Sequence, residues 1–280
     1  MGGVREKGLR VLLTGATGGI GREIALALAA QGAELLATGR DEQRLETLCA
    51  ELTEIGGRAR CVAADLTSAE GRRRVVVEAR ARPGGINVLV NNAAISAFGH
   101  FARQTDEEIE RIMTTNLLAT MLLTKALLPV LQNQSWASIV NVGSMLGSLA
   151  TPGQVAYSAS KYALRGFTEG LRRELADSSV RIVYVAPRAT DTAMNGTRLR
   201  RFNARFGVAM DSPTAVAAGI VRAIARGPAE HFLGWPEKLF VRINALLPGI
   251  IDRALRTQSR HINDPEVTGE SLVLPTGADQ

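Results

Sequence analysis

Cysteine, histidine and aromatic residues are all scarce in this chain of 280 residues. Its two cysteines, Cys49 in a helical stretch and Cys61 in a strand, have neither CxxC spacing nor a secretory context. We therefore expect two buried thiols in a reducing compartment. The three histidines, His100, His231 and His261, are too scattered to form a metal site by local spacing, and we predict no metal.

The chain also lacks the marks of a membrane-spanning or nucleic-acid-binding protein. No apolar stretch reaches the length of a bilayer span, and residues 1–7 carry charge without an apolar run. We expect no signal peptide, and a soluble or peripheral protein of the cytoplasm. The net charge of +6 comes from dispersed basic residues, and only 4% of residues are aromatic. Because stacking residues do not accompany the charge, we predict no nucleic-acid partner.

Short apolar runs that are typical of buried strands alternate with amphipathic stretches of helical length. The runs comprise residues 9–13, 34–38, 59–63, 86–90, 138–143 and 180–185. This alternation predicts a parallel sheet of about seven strands with helices on both faces. With 46% hydrophobic residues, the chain is long enough for one α/β domain, predicted over residues 1–235, and a C-terminal appendage.

A glycine-rich segment, Thr14–Gly21, follows the first apolar run and precedes a helical stretch over residues 23–29. Glycines between a strand and a helix let the backbone approach a pyrophosphate and direct the helix N-terminus towards it. The segment therefore predicts a dinucleotide site.

Tyr157 and Lys161 are four residues apart, so on a helix they lie on the same face. A phenol normally titrates near pH 10, and a neighbouring ammonium favours its ionised form. We therefore predict that Lys161 lowers the pKa of Tyr157. Gly143 breaks the apolar run that begins at Ser138, and Ser144 follows it, which places a hydroxyl at a strand mouth. Standing alone, the Tyr-x-x-x-Lys spacing would indicate only a helix surface.

The motifs as a set closely resemble the short-chain dehydrogenase/reductase family over roughly residues 9–194. They are the Thr-Gly-x-x-x-Gly-x-Gly turn at 14–21, Asn91-Asn92-Ala93-Ala94, Asn116, Ser144 and Tyr157-x-x-x-Lys161. The resemblance implies a Rossmann-type, doubly wound domain that transfers hydride between a nicotinamide and a carbonyl or alcohol carbon. The chain departs from the family pattern at Ala94, where a glycine is usual, and at Arg188, where a Pro-Gly pair is usual.

The resemblance also implies a role for each catalytic candidate. Tyr157 donates its proton to the carbonyl oxygen as a general acid, and Ser144 holds the same oxygen. Lys161 binds the nicotinamide ribose as well as acting on Tyr157. Asn116 lies in a predicted helix from about 106 to 131, where its amide binds a water that connects Lys161 to solvent; the alternative is a residue at a helix kink. Asn91 is expected to tie the glycine-rich turn to the fourth strand.

Cofactor preference is argued from the end of the second strand, Thr38-Gly39-Arg40-Asp41. An acid there favours NAD, whereas Arg40 suits the 2′-phosphate of NADP, so NADP(H) is preferred over NAD(H). The alternative is that Arg40 is merely solvated and that Asp41 caps the next helix. By resemblance, Asp65 binds the adenine and Thr192 the nicotinamide amide. The residues expected to contact the cofactor are Gly15, Thr17, Gly18, Gly19, Ile20, Gly21, Arg40, Asp65, Leu66, Asn92, Ala93, Tyr157, Lys161, Pro187 and Thr192.

The sequence after the sixth strand predicts a substrate loop over about residues 188–212, with apolar and arginine side chains suited to a hydrophobic substrate with an anionic tail. Residues 236–260 predict an amphipathic helical segment with Pro248 inside it. Three interpretations stay open for this segment: packing on the core or a second subunit, which is favoured, a lid, or a peripheral membrane anchor. Residues 261–280 look like a disordered tail.

These observations predict an NADPH-dependent reductase of a hydrophobic ketone or aldehyde of acyl-chain, steroid-like or polyketide-like type. The same machinery would serve an NAD(P)-dependent alcohol dehydrogenase running towards oxidation. A non-catalytic NADPH-binding scaffold is a third possibility. We also expect a homodimer or homotetramer.

Overall fold

A seven-stranded parallel sheet organises the protein, whose computed structural model describes residues 8–226 and 228–268. The strands are β1 (Arg10–Thr14), β2 (Glu34–Gly39), β3 (Arg58–Ala63), β4 (Val88–Asn91), β5 (Ala137–Val142), β6 (Val180–Pro187) and β7 (Glu230–Leu233). Their order in the sheet is β3-β2-β1-β4-β5-β6-β7, and every pairing is parallel. The chain therefore winds outwards in both directions from β1 and β4, which leaves a crevice at their carboxyl ends.

Helices cover both faces of the sheet, so the predicted doubly wound fold is confirmed. The helices are α1 (Gly19–Ala29), α2 (Glu42–Glu54), α3 (Ala69–Ala81), α4 (Asp106–Met113), α5 (Ala119–Gln132), α6 (Val155–Glu174), α7 (Thr197–Arg205), α8 (Pro213–Ala225), α9 (Glu237–Leu246), α10 (Pro248–Arg260) and α11 (Pro265–Thr268). One core lies between the sheet and α1, α2 and α8, and a second lies between the sheet and α3 and α5. Because both faces are covered, the strands read as continuous apolar runs.

The stretch from Asp106 to Gln132 is one helical run that is long and apolar enough to cross a membrane by length and composition. The expectation that no segment reaches this length is therefore wrong. The side chains of Ile112, Leu123 and Leu127 are buried, so one side of the run packs into the domain. Core helices of globular proteins can have the same length and apolar composition. A π-helical turn, Thr114–Leu118, interrupts the run between α4 and α5.

Cys49 and Cys61 form a disulfide, so the prediction of two buried thiols is wrong. Cys49 lies on α2 and Cys61 on β3, and both residues are only partly buried. The chain reverses direction between these elements, which brings the two Cα atoms to 6.3 Å although 12 positions separate them. Because the prediction of a reducing compartment depended on free thiols, the disulfide removes its basis.

The C-terminal segment is helical, and it forms two helices because the chain turns at Leu247, just before Pro248, between α9 and α10. Part of the expected disordered tail is also ordered. Ile262 and Val267 are both 1% exposed and pack with Phe202 of α7. Apolar side chains at these two positions therefore hold residues 261–268 against the substrate loop. The remainder of the predicted tail, 269–280, lies outside the described residues.

The packing of the C-terminal segment predicts that Ile262→Ala lowers the free energy of unfolding by about 2–4 kcal/mol, because it removes buried methyl groups and leaves a cavity. Denaturant unfolding followed by circular dichroism measures this change. Ile55→Ala is the matched control, since Ile55 is 52% exposed and the same truncation there should cost less than about 0.5 kcal/mol. Equal stability of the Ile262 variant and wild type would mean that this segment is not packed in solution.

Candidate active site

The glycine-rich turn brings three backbone segments into contact at the crevice. Gly15 has a φ of +62°, and a Cβ atom there would lie 2.7 Å from the Cα of Ala93. A Cβ on Gly21 would overlap the carbonyl of Gly15. No side chain caps α1 at Gly18, so its first amides are available to a phosphate. This cradle fits the pyrophosphate of a dinucleotide.

Asn92 ties the turn to the end of β4, a role that the sequence analysis gave to Asn91. The Asn92 amide group donates to the carbonyls of Thr14 and Gly15, both at 3.1 Å. The Thr14 hydroxyl accepts hydrogen bonds from the backbone N–H groups of Asn92 and Ala93 at 3.0 and 3.1 Å. Asn91 instead points into the domain, where its side chain donates to Asn141 at 2.8 Å. The correction follows from strand alternation, which turns adjacent side chains to opposite sides.

The adenosine end of the crevice gathers charged side chains from two loops. Arg40 is exposed just after β2. Burial opposes ionisation of Asp65, but hydrogen bonds from Thr67 and the charge of Arg40 outweigh it, so the Asp65 pKa lies below its ordinary value. Asp41 caps α2 as predicted, accepting from the backbone N–H of Arg44 at 3.0 Å. The Arg44 guanidinium, which the sequence analysis missed, donates to the carbonyl of Thr17 at 2.9 Å.

Ser144, Tyr157 and Lys161 meet at the mouth of β5. The Ser144 hydroxyl lies near enough to the Tyr157 hydroxyl to act on its pKa, and the Lys161 ammonium lies 5.7 Å from the centre of the Tyr157 ring. Lys161 is 2% exposed and donates to the carbonyl of Val142 at 2.9 Å. The predicted same-face placement on α6 therefore brings a hydroxyl, a phenol and an ammonium together.

The electrostatics of this group differ from the prediction. Burial raises the pKa of Tyr157 to about 12, although the nearby Ser144 hydroxyl acts in the opposite direction. Burial also lowers the pKa of Lys161 to about 8. Lys161 therefore does not bring the Tyr157 pKa below its ordinary value, because desolvation penalises both charged forms. At neutral pH the phenol keeps its proton.

Asn116 lies in the π-helical turn, as the helix-kink alternative proposed. Its side-chain oxygen accepts from the backbone N–H of Ile95 at 2.8 Å. Its amide group donates to the carbonyl of Ile95 at 2.9 Å and to the Ser160 hydroxyl at 3.0 Å. Both amide donors are thus used within the protein, whereas the side-chain oxygen keeps a second lone pair for the predicted water. Asn116 also fastens the loop after β4 to α6, beside Lys161.

Tyr184 is a further site residue that sequence reasoning missed. It is fully buried on β6, and its hydroxyl donates to the Ser144 carbonyl at 3.2 Å and accepts from the Ser144 N–H at 3.3 Å. A Cβ on either Gly143 or Gly147 would overlap the Tyr184 ring or hydroxyl. The two glycines around Ser144 were a signal that a bulky group lies beneath this loop.

The substrate loop begins and ends at one ion pair. Arg188 donates to Asp211 at 2.7 Å and to the carbonyl of Trp235 at 2.8 Å. The family departure at position 188 therefore joins the base of the loop to the start of the C-terminal segment. Thr192 lies against the glycine-rich turn, since its γ-methyl group would be 2.8 Å from a Cβ on Gly19.

The apolar residues of the loop divide into two groups. Leu199 and Phe202 are buried, and the Phe202 ring lies 4.9 Å from that of Phe98. Met194 and Met210 remain 43% and 37% exposed. The loop therefore carries helix α7, and only part of its predicted apolar surface is open to a substrate.

Comparison with known proteins agrees with this geometry. A family model described as short chain dehydrogenase matches residues 10–201. The chain is 34% identical over 256 residues to ketoacyl reductase HetN of Nostoc sp., covering 89% of this chain and 88% of the relative. It is 32% identical over 222 residues to the 3-oxoacyl-acyl-carrier-protein reductase FabG of Escherichia coli, covering 78% and 89%. A crystal structure of an actinorhodin polyketide ketoreductase variant with NADPH superposes with a TM-score of 0.74 at 28% identity, covering 81% and 95%.

The contact beneath Ser144 predicts that Tyr184→Phe lowers kcat for carbonyl reduction on the order of 10- to 100-fold, because a small displacement of Ser144 misaligns the group that holds the reacting oxygen. Steady-state kinetics and cofactor titration separate this effect from general damage. We expect cofactor affinity and KM to change little. Tyr162→Phe is the matched control, since Tyr162 is 41% exposed and should keep wild-type kcat. Wild-type kcat in the Tyr184 variant would contradict the positioning role.

Proposed function

Because the chain belongs to the short-chain dehydrogenase family, we propose that it is an NADPH-dependent reductase of a hydrophobic ketone or aldehyde. The observation that carries this proposal is that Ser144, Tyr157 and Lys161 meet at the mouth of β5, at the same edge of the sheet as the glycine-rich cradle that fits a dinucleotide. A hydroxyl that holds a carbonyl oxygen and a phenol that gives it a proton are what reduction requires.

The residues of the site divide this task among them. NADPH supplies the hydride when bound. Ser144 donates a hydrogen bond to the carbonyl oxygen and fixes its position, and Tyr157 donates the proton as negative charge develops there. Lys161 lies close enough to stabilise the phenolate that remains. The buried surroundings strengthen that interaction because they exclude water.

The substrate class that we propose is a 3-ketoacyl or related acyl-chain compound. The names of similar proteins support it, since two are reductases of ketoacyl or 3-oxoacyl compounds and one is a polyketide ketoreductase. In this chain, the exposed Met194 and Met210 offer apolar contact, and Arg201 is exposed on α7. Arg201 suits the anionic part of a carrier-bound substrate.

The preference for NADP(H) rests on Arg40, and Arg44 extends the same basic group. We also propose a homodimer or homotetramer. Four exposed apolar side chains on the π-helical turn, α5 and α6 support that assembly; they are Leu118, Met121, Val155 and Tyr162.

The proposed activity predicts that the purified enzyme oxidises NADPH in the presence of short 3-ketoacyl thioesters. Loss of absorbance by the reduced nicotinamide measures this oxidation. Tyr157→Phe should lower kcat roughly 10²- to 10⁴-fold while cofactor binding is retained, because only the transferable proton is removed. Wild-type protein that binds NADPH but reduces no member of a panel of ketones and aldehydes would indicate a non-catalytic NADPH-binding scaffold. Turnover confined to alcohols with the oxidised cofactor would favour the oxidative alternative.

The cofactor proposal predicts that Arg40→Asp weakens NADPH binding by on the order of 2 kcal/mol or more and spares NADH, because a charge-assisted contact becomes a repulsion. Fluorescence titration with each cofactor measures this difference. Arg74→Asp on the exposed side of α3 makes the same change of charge and should leave both affinities unaltered. An equal loss for the two cofactors in the Arg40 variant would show that Arg40 does not read the 2′-phosphate.

A further inference from the structure

The largest group of exposed apolar side chains in the C-terminal helices lies along α9 and its turn into α10. We call it the outer apolar face; it consists of Trp235, Leu239, Phe240, Leu246, Leu247 and Ile250. Leu246 is 80% exposed, Trp235 64% and Leu247 57%. Soluble proteins rarely expose large apolar patches, so a group of exposed apolar side chains of this size indicates a docking site.

The fold already uses the opposite side of the same two helices. Val241 and Ile251 are buried against Met145 and Leu149, in the loop that follows Ser144. The Asn244 amide group donates to the carbonyl of Ser148 at 3.0 Å. Packing on the domain is therefore satisfied by the inner side, whereas the six side chains of the outer apolar face are between 39% and 80% exposed.

The two helices that carry the outer apolar face are rich in positive charge. Residues 235–260 contain five basic side chains, namely Lys238, Arg242, Arg253, Arg256 and Arg260, and two acidic ones, Glu237 and Asp252. Glu237 pairs with Arg188 at 3.5 Å. Among the residues that the structure describes, none of the five basic side chains has an ion-pair partner. The cations are thus available to an anionic surface.

We propose that α9 and α10 dock the protein on an anionic lipid bilayer, with the outer apolar face inserted at the headgroup boundary. Exposed leucines and a tryptophan flanked by arginines are the composition that interfacial helices use. Anionic lipid complements the basic side chains of these helices, and each cation near the surface adds to binding. This proposal does not depend on the reaction that the site performs.

A second copy of the chain matches this surface less well than lipid does. A two-fold contact places a patch against itself. The positive charges of Arg242, Arg253 and Arg256 would then be brought towards those of the second copy across a desolvated boundary, where like charges repel. Lipid headgroups avoid this repulsion because they carry the opposite charge.

Docking in this manner orients the site as well as holding the protein. The inner side of the two helices packs on the loop after Ser144, so the membrane lies next to the Ser144 end of the sheet. Arg188 links Asp211 of the substrate loop to Glu237 of α9. The segment over the site is therefore joined to the docking helices.

Sedimentation of the full-length protein with lipid vesicles tests the proposal. We expect wild type to pellet with vesicles of phosphatidylcholine and phosphatidylglycerol at low salt. It should stay in the supernatant with phosphatidylcholine alone, and binding should fall as salt rises. Wild type that remains in the supernatant with both kinds of vesicle at low salt overturns the proposal.

Two variants separate insertion from attraction by charge. Leu246→Ser combined with Leu247→Ser removes apolar surface, and Arg253→Glu combined with Arg256→Glu reverses charge; each should reduce the bound fraction about tenfold. Matched controls on other surfaces are Ile55→Ser with Val77→Ser, which are 52% and 63% exposed in wild type, and Arg73→Glu with Arg74→Glu. The controls should bind as wild type does, and unchanged thermal unfolding shows that each variant is folded.

The remaining outcomes all count against the proposal. Loss of binding only in the charge variant means that the apolar face does not insert. A fall in oligomeric mass in the leucine variant without lipid, measured by analytical ultracentrifugation, means that a second copy covers the face.

Discussion

Close approach of backbone segments is the constraint on which both halves of the site depend. At the nucleotide end, Gly15 touches Ala93 where a Cβ would have to displace the backbone. At the catalytic end, Gly143 and Gly147 leave just enough room for the ring and hydroxyl of Tyr184. Each end lies at the carboxyl edge of the sheet, so glycines there fix the distance between the strands and the loops that carry the chemistry.

Burial gives the catalytic group its electrostatic character. Lys161 is buried and Tyr157 is half-buried, and desolvation shifts the pKa of each group towards its neutral form. A buried ammonium weakens the fold unless its donors find acceptors, and the Val142 carbonyl satisfies one of them. The protein therefore retains an arrangement that is unfavourable for folding and suited to proton transfer, as is common at functional sites.

Local patterns predicted the elements of the fold, whereas tertiary partners decided the details of the site. The apolar runs, the Asp41 cap and the shared face of Tyr157 and Lys161 depend on neighbours a few positions away, which a sequence displays directly. Tyr184 contacts a loop 40 positions earlier, so only the assembled sheet reveals it. The disulfide between Cys49 and Cys61 was not predicted for a related reason. A helix and the strand after it bring the two cysteines together, although their spacing in the sequence matches no cysteine motif.

The C-terminal helices show how one segment can meet two physical demands. Its inner side supports the loop after Ser144, and this demand alone would be met by a helix with polar residues elsewhere. Leu246 and Leu247 add little to the stability of the isolated domain, because they are 80% and 57% exposed to water. Their free energy falls when another apolar phase covers them, and the arginines of the same helices, which have no ion-pair partner among the described residues, limit which phase that is. The presence of both features on one short segment is explained more simply by binding to a lipid bilayer, which is apolar inside and anionic at its surface, than by packing within the domain.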